Sequence, residues 1–183
     1  MSLTTYLPQD RLRALARGET LPSLTLGSAL FADISGFTHL TETLHEQMGP
    51  RRGAEELTKH LDVVYTALIN EVEQDGGSVI GFAGDSITCW FDEDHGEAAA
   101  RAVHCAFALQ RAMSSFEAIP LTNSTAINLA LKVTVATGPI RRFALGDPSV
   151  RYMDTLAGTT VTRTSAAEHL ARKGEILVDE ATV

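Results

Sequence analysis

The chain has 183 residues, which suits one domain with room for a short arm. Fifteen Lys and Arg stand against 23 Asp and Glu, a net charge of −8. That balance argues against a nucleic-acid partner, because phosphate contacts need a basic face. The 44% hydrophobic content suits a packed globule rather than a disordered chain. No apolar run reaches the roughly 18 residues of a membrane span, and Met1 to Pro8 lack the basic-then-apolar pattern of a secretory signal. Cys89 and Cys105 sit inside apolar segments without metal or CxxC spacing. They are expected to be reduced core thiols of a cytoplasmic protein.

In chain order, residues 8–22 predict a short helix bounded by Pro8 and Pro22, an arm packed on the main body. Residues 1–25 are assigned to this arm and 26–183 to the main domain. Ser28 to Ile34 reads as a buried strand followed by the turn Ser35-Gly36. Phe37 to about Glu46 is a short helix and Gly53 to Gln74 a long one. In the long helix Leu57, Leu61, Val64, Leu68, Ile69 and Val72 form one apolar stripe. Ser78–Phe82 and Ser86–Phe91 form a hairpin around Ala83-Gly84-Asp85. Glu97 to Ser115 is an Ala-rich helix, and Asn123-Ser124 is loop. Ile127 to Thr137 alternates as a strand with one buried face. Ile140–Leu145 and Val150–Leu156 flank Gly146-Asp147-Pro148 as a second hairpin. Thr160–Ala171 is a helix and Glu175–Val178 a last strand. This order predicts an α+β fold, an elaborated ferredoxin-like βαββαβ core whose antiparallel sheet is covered by helices on one side.

Two carboxylates invite a chemical reading. Asp33 interrupts the apolar run Leu30-Phe31-Ala32-Asp33-Ile34, and a buried carboxylate is costly unless paired or bound to a cation. Asp85 occupies the tip of the first hairpin. Singly, Asp33 could cap the next helix and Asp85 could be an ordinary turn residue. Together, if the first strand lies beside the hairpin, they face one spot, where a divalent metal converts repulsion into binding. Oxygen-only ligands in an open site suit Mg²⁺ or Mn²⁺. Gly36 and Gly84 let backbone approach a ligand. Ser35-Gly36-Phe37-Thr38 runs into a helix N-terminus, where free N–H groups can hold phosphate oxygens. Metal beside an anion cradle is a plan for nucleoside triphosphate chemistry.

The segments Phe31-Ala32-Asp33-Ile34-Ser35-Gly36-Phe37-Thr38, Arg52-Gly53-Ala54-Glu55-Glu56-Leu57 and Gly76-Gly77-Ser78-Val79-Ile80-Gly81-Phe82-Ala83-Gly84-Asp85 resemble the catalytic domain of class III adenylate and guanylate cyclases. They are most like the first catalytic half of the soluble, bicarbonate-responsive type. The likeness covers roughly residues 26–183. It implies that Asp33, Asp85 and the Ile34 carbonyl bind two Mg²⁺ or Mn²⁺ ions, and that backbone of Gly36, Phe37 and Thr38 holds the β- and γ-phosphates. The ribose 3′-hydroxyl of ATP would attack the α-phosphorus in line, giving a 3′,5′-cyclic nucleotide and pyrophosphate. The family's active site lies between two catalytic domains, so a homodimer or a second cyclase domain is the implied partner. Thr155 stands at a base-reading position and points to ATP over GTP. The family usually runs on for another strand or two, so an excised domain is expected.

The departures are specific. Counting from Gly158, the family's Asn and Arg positions hold Thr162 and Ala166, and the base-reading Lys position holds Gly81. Losing a donor that stabilises transition-state charge costs about 10²–10³ in rate. The resemblance therefore implies the metal half of a composite site, with the partner supplying Lys, Asn and Arg. Two other readings stay open: a cyclase-like nucleotide-binding or regulatory module without turnover, and another palm-like phosphotransfer domain sharing only the fold plan. Arg163 is expected to be a solvated helix residue, and Arg141-Arg142 a candidate partner contact. Trp90 is expected in the core or an interface. The six histidines are expected to be surface-polar, sharing no face with an acid.

Overall fold

A computed structural model describes residues 7–116, 119–120, 126–147 and 151–183. Its elements are α1 (Gln9–Ala16), β1 (Leu24–Ser35), α2 (Phe37–Gln74), β2 (Ser78–Ala83), β3 (Ser86–Asp92), α3 (Ala98–Met113), β4 (Ile119–Pro120), β5 (Ala126–Ile127), β6 (Ala130–Asp147), β7 (Arg151–Ala157), α4 (Thr159–Glu168) and β8 (Ile176–Val178). The main sheet runs β2-β3-β1-β6-β7, with β8 also on β6, and β4 pairs with β5 separately. Every pairing is antiparallel except that of β8, which runs parallel to β6. The expected α+β plan with a mainly antiparallel sheet is what the chain adopts. The expected loop at Asn123-Ser124, and Pro148 and Val150 of the second hairpin, lie outside the described residues.

Strand alternation divides the sheet into two faces. Leu30, Ala32 and Ile34 of β1, Ile87, Cys89 and Phe91 of β3, and Leu131, Val133 and Val135 of β6 form one face. They pack with Leu40, Leu44, Val64, Leu68 and Val72 of α2 and with Ala102, Cys105, Ala106 and Leu109 of α3. The other face carries a smaller core of Ala29, Trp90, Ile140 and Leu156, with Ile80 and Val161 against it. Helices α1 and α4 lie on this second face. The expectation of helices on one side only is thus corrected. The cause lies in β6, where Thr134, rather than an apolar residue, faces α4 and donates to the Thr164 carbonyl (3.1 Å).

The two expected helices between β1 and β2 are both present within α2, parted at Gly49, whose φ of 75° and ψ of 171° leave the helical region just before Pro50. A Cβ on Gly53 would sit 2.8 Å from the Leu44 carbonyl oxygen, so the two limbs meet there at glycine distance.

The arm is held by charge rather than by grease. Its Asp10 and Arg11 are buried, with Arg142 of β6 and Asp154 of β7. Arg11 forks onto Asp154 through Nε (2.5 Å) and Nη2 (2.7 Å). Arg142 pairs with both Asp10 oxygens and also reaches Asp154 through Nε (3.1 Å) and Nη2 (3.2 Å). The Asp10 amide donates to Ser78 Oγ of β2 (3.1 Å). Two acids and two arginines cancel in a dry site, which is the condition for burying such charges. Of the candidate partner contact Arg141-Arg142, Arg142 is thus an internal clamp. Trp90, 1% exposed, is core.

Candidate functional site

Asp33 lies near the C-terminal end of β1 on the face shared with Ala29 and Phe31. It stands opposite Ser86 of β3 on one side and Lys132 of β6 on the other. The next residue, Ile34, donates its amide to the Asp85 carbonyl (3.1 Å). The backbone carrying both aspartates is thereby tied together at one end of the sheet. This follows from the short β2–β3 hairpin, whose tip at Gly84-Asp85 reaches the end of β1.

Gly36 follows directly, with φ of 107°. A Cβ there would meet the Asn128 carbonyl oxygen at 2.7 Å, so only glycine fits this turn. The turn opens α2 without a side-chain cap, so no capping side chain takes up the first-turn amides. The Phe37 ring is buried and stacks near Tyr65 (6.3 Å between centroids), and Tyr65 meets Phe82 edge-on (5.3 Å). A cavity of about 520 Å³ lies here, lined by Phe37, Thr38, Leu57, Tyr65, Gly84 and Asp85 among others. A second cavity of about 380 Å³ lies at the opposite end of β1, beneath α1 and beside Trp90.

Two residues that the sequence reading passed over belong to the first neighbourhood. The Tyr65 hydroxyl reaches toward the Gly84 carbonyl (3.4 Å). Its pKa is raised, first by burial and then by the negative charges of Asp85 and Asp33. Both carboxylates thus act on one phenol. The other residue is Lys132, whose Nζ lies 2.9 Å from Asp33 Oδ2 and 2.6 Å from Glu168 Oε1 at the end of α4. The hydrogen bonds it donates to Glu168 and then to Asp33 raise its pKa despite opposing desolvation. Lys132 shares the register row of Asp33, a signal readable only after the β1–β6 pairing is known.

Among the described residues no three His, Cys, Asp or Glu side chains cluster to hold a metal. Two carboxylates with backbone oxygens suit Mg²⁺ or Mn²⁺, which fill their remaining positions with water and substrate oxygens. The Lys132 ammonium group pairs with Asp33 in this corner. On donor chemistry the residues fit the implied metal.

Thr155 is elsewhere. It lies on β7 opposite Phe143, on the stretch of β6 beyond the β1 residue Leu24, whereas Asp33 pairs at Lys132 near the other end. One chain does not bring Thr155 to Asp33. At Gly81 a Cβ would enter open space, so packing does not exclude a larger residue there. On α4 the Thr162 hydroxyl turns back to the Gly158 carbonyl (3.2 Å). Arg163 is not a merely solvated residue: it donates to the Thr137 carbonyl (2.6 Å) and pairs with Asp179 (3.2 Å). Five of the six histidines are exposed as expected, but His104 contacts Asp75 (2.8 Å) and His95 contacts Asp92.

Residues 25–183 match the model of the adenylate and guanylate cyclase catalytic domain family. The chain belongs to the class III nucleotide cyclases. Adenylate cyclase type 10 of Mus musculus is 25% identical over 155 residues, covering 83% of this chain but 9% of that protein. The Homo sapiens protein of the same name is 24% identical over the same shares. The chain therefore spans about a tenth of these relatives' length. The adenylyl cyclase CyaB from P. aeruginosa superposes with a TM-score of 0.70 at 23% identity, over 87% of this chain and 79% of that one. The guanylate cyclase domain of RhGC from Catenaria anguillulae, in complex with GTP, gives 0.65 at 19% identity, over 86% and 80%. These likenesses carry the fold. Among the described residues no helix is long and apolar enough to cross a membrane.

Proposed function

We propose that this chain supplies the metal-binding half of a composite cyclase site that converts ATP to 3′,5′-cyclic AMP and pyrophosphate, completed by a second catalytic domain. The observation that carries this reading is the Ile34 amide bonded to the Asp85 carbonyl, beside the uncapped start of α2. Asp33, Asp85 and the Ile34 carbonyl would hold Mg²⁺ or Mn²⁺. The bound metal would lower the pKa of the ribose 3′-hydroxyl and offset charge on the leaving pyrophosphate. The amides of Gly36, Phe37 and Thr38 would orient the β- and γ-phosphates, aided by the positive end of α2. Gly84 would let the hairpin tip approach the triphosphate. Thr155 would read the base of a nucleotide bound largely by the partner, since it lies far from this chain's own Asp33. Similarity to proteins named adenylate cyclase type 10 supports ATP at the site built on Asp33.

A second reading has its own observation. Thr162 is turned back on its own helix and Ala166 offers no donor, so a pair of such chains lacks charge stabilisation at the α-phosphorus. The chain would then bind nucleotide and regulate a partner without turnover. Assay of cyclic AMP from Mn²⁺-ATP separates the two, with the chain alone and mixed with a cyclase domain carrying the Lys, Asn and Arg. Activity in the mixture that vanishes with Asp33→Ala supports the composite enzyme. Mn²⁺-dependent ATP binding without product in any pairing supports the regulatory module.

A further inference from the structure

We propose that Lys132 is the resident counter-cation of Asp33, and that Glu168 is a positioning residue that takes the lysine over when a divalent cation enters. The proposal rests on the reading of Asp33 and Asp85 as the cation site. Lys132 bridges two carboxylates, Asp33 at 2.9 Å and Glu168 at 2.6 Å. Side-chain exposures of 19% for Lys132, 19% for Asp33 and 26% for Glu168 place all three partly out of water, where charges act strongly on one another.

An ammonium on Asp33 occupies one of its oxygens and repels an incoming dication. Metal entry therefore requires the lysine to leave Asp33. A lysine with no other partner would lose a charge-assisted hydrogen bond in that step. Glu168 removes most of this cost, because its bond to Lys132 is already made and is the shorter of the two. The lysine then pivots about Glu168 instead of being expelled. Glu168 is well placed for this role because α4 is fixed to the sheet. Thr160 donates to the Pro139 carbonyl (2.8 Å), the Thr164 carbonyl accepts from Thr134 (3.1 Å), and Arg163 donates to the Thr137 carbonyl (2.6 Å). The same contact ties the cation site on β1 to α4, so movement of that helix alters how firmly Asp33 is neutralised.

The test is Mn²⁺ binding to the full chain without nucleotide, read by electron paramagnetic resonance or calorimetry. Lys132→Met removes the competitor and is expected to tighten Mn²⁺ binding about tenfold, the equivalent of one charge-assisted hydrogen bond. Glu168→Gln leaves the lysine wholly on Asp33 and is expected to weaken binding by a similar factor. In the Lys132→Met background, Glu168→Gln is expected to change the affinity less than twofold. A plain electrostatic role for Glu168 would instead persist undiminished without the lysine, and that result overturns the proposal. Glu168→Ala serves as a second variant and should follow Glu168→Gln. Asp33-dependent Mn²⁺ binding that Lys132→Met does not tighten overturns the proposal alone. Mn²⁺ binding no weaker in Asp33→Ala than in the unaltered chain overturns the site reading and the proposal together.

Discussion

Arg142 offers the sharpest test of how the arm is held. Its side chain is 3% exposed and that of Asp154 is 0% exposed. Replacing Arg142 with Met removes four hydrogen bonds to Asp10 and Asp154 but leaves both carboxylates in place. Only Arg11 then remains to neutralise Asp154, and Asp10 is left buried without its partner. Breaking a buried pair from one side costs about 3–5 kcal/mol. At roughly 2–4 °C per kcal/mol for a domain of this size, Tm should fall by roughly 6–20 °C. Urea unfolding followed by far-UV circular dichroism gives the free energy. The single tryptophan, Trp90, borders the cavity under α1 and reports arm docking by fluorescence. The double variant Arg142→Met/Asp154→Leu removes both charges together and should lose less than the sum of the single variants, with a coupling of at least about 1 kcal/mol. A loss below about 1 kcal/mol for Arg142→Met, or additive single variants, would refute the idea of a mutually dependent network.

The same network sets an acid limit. Burial alone raises the Asp154 carboxyl, but hydrogen bonds from Arg11 and Arg142 outweigh it and hold the group below its ordinary 3.8. A depressed folded value means the stabilisation is complete above the unfolded value and drains away as pH falls through the folded one. Asp154→Asn should therefore flatten the loss of stability below about pH 4, measured by urea midpoints across an acid series. Gly36→Ala should destabilise the chain by about 1–3 kcal/mol through its positive φ, and should weaken ATP binding by displacing the turn from Asn128. An undiminished Tm would contradict that. Cys89 and Cys105 are both buried free thiols whose pKa values burial pushes well up. Ellman's reagent should find neither in the folded chain and both in urea, and rapid native labelling would count against this packing.

Much of the fold was legible because periodicity reports burial. The alternation from Ile127 to Thr137 and the apolar stripe of the long helix each name a face, and Leu129, Leu131, Val133 and Val135 meet Val64, Leu68 and Val72 in one core. The pattern failed where polar residues were themselves buried. Thr134, Thr160 and Thr164 are buried, so α4 on the second face left no apolar stripe to read. Asp10, Arg11, Arg142 and Asp154 look like surface residues singly, and only their mutual cancellation permits burial.

The candidate site divides in the same way. Asp33 and Asp85 stood out as carboxylates at places where apolar or turn residues would be ordinary, a local property that sequence carries. Lys132, Glu168 and Tyr65 stood out nowhere. Lysines on strands, glutamates at helix ends and half-buried tyrosines are common, and nothing local marks these three. What composition and periodicity determined alone was the class of fold and the two acidic positions, because each depends on neighbours close along the chain. What tertiary structure decided was which distant charges meet. Register across β1 and β6 and the seating of α4 set those distances, and an ion pair exists only where such geometry closes the gap to hydrogen-bond length.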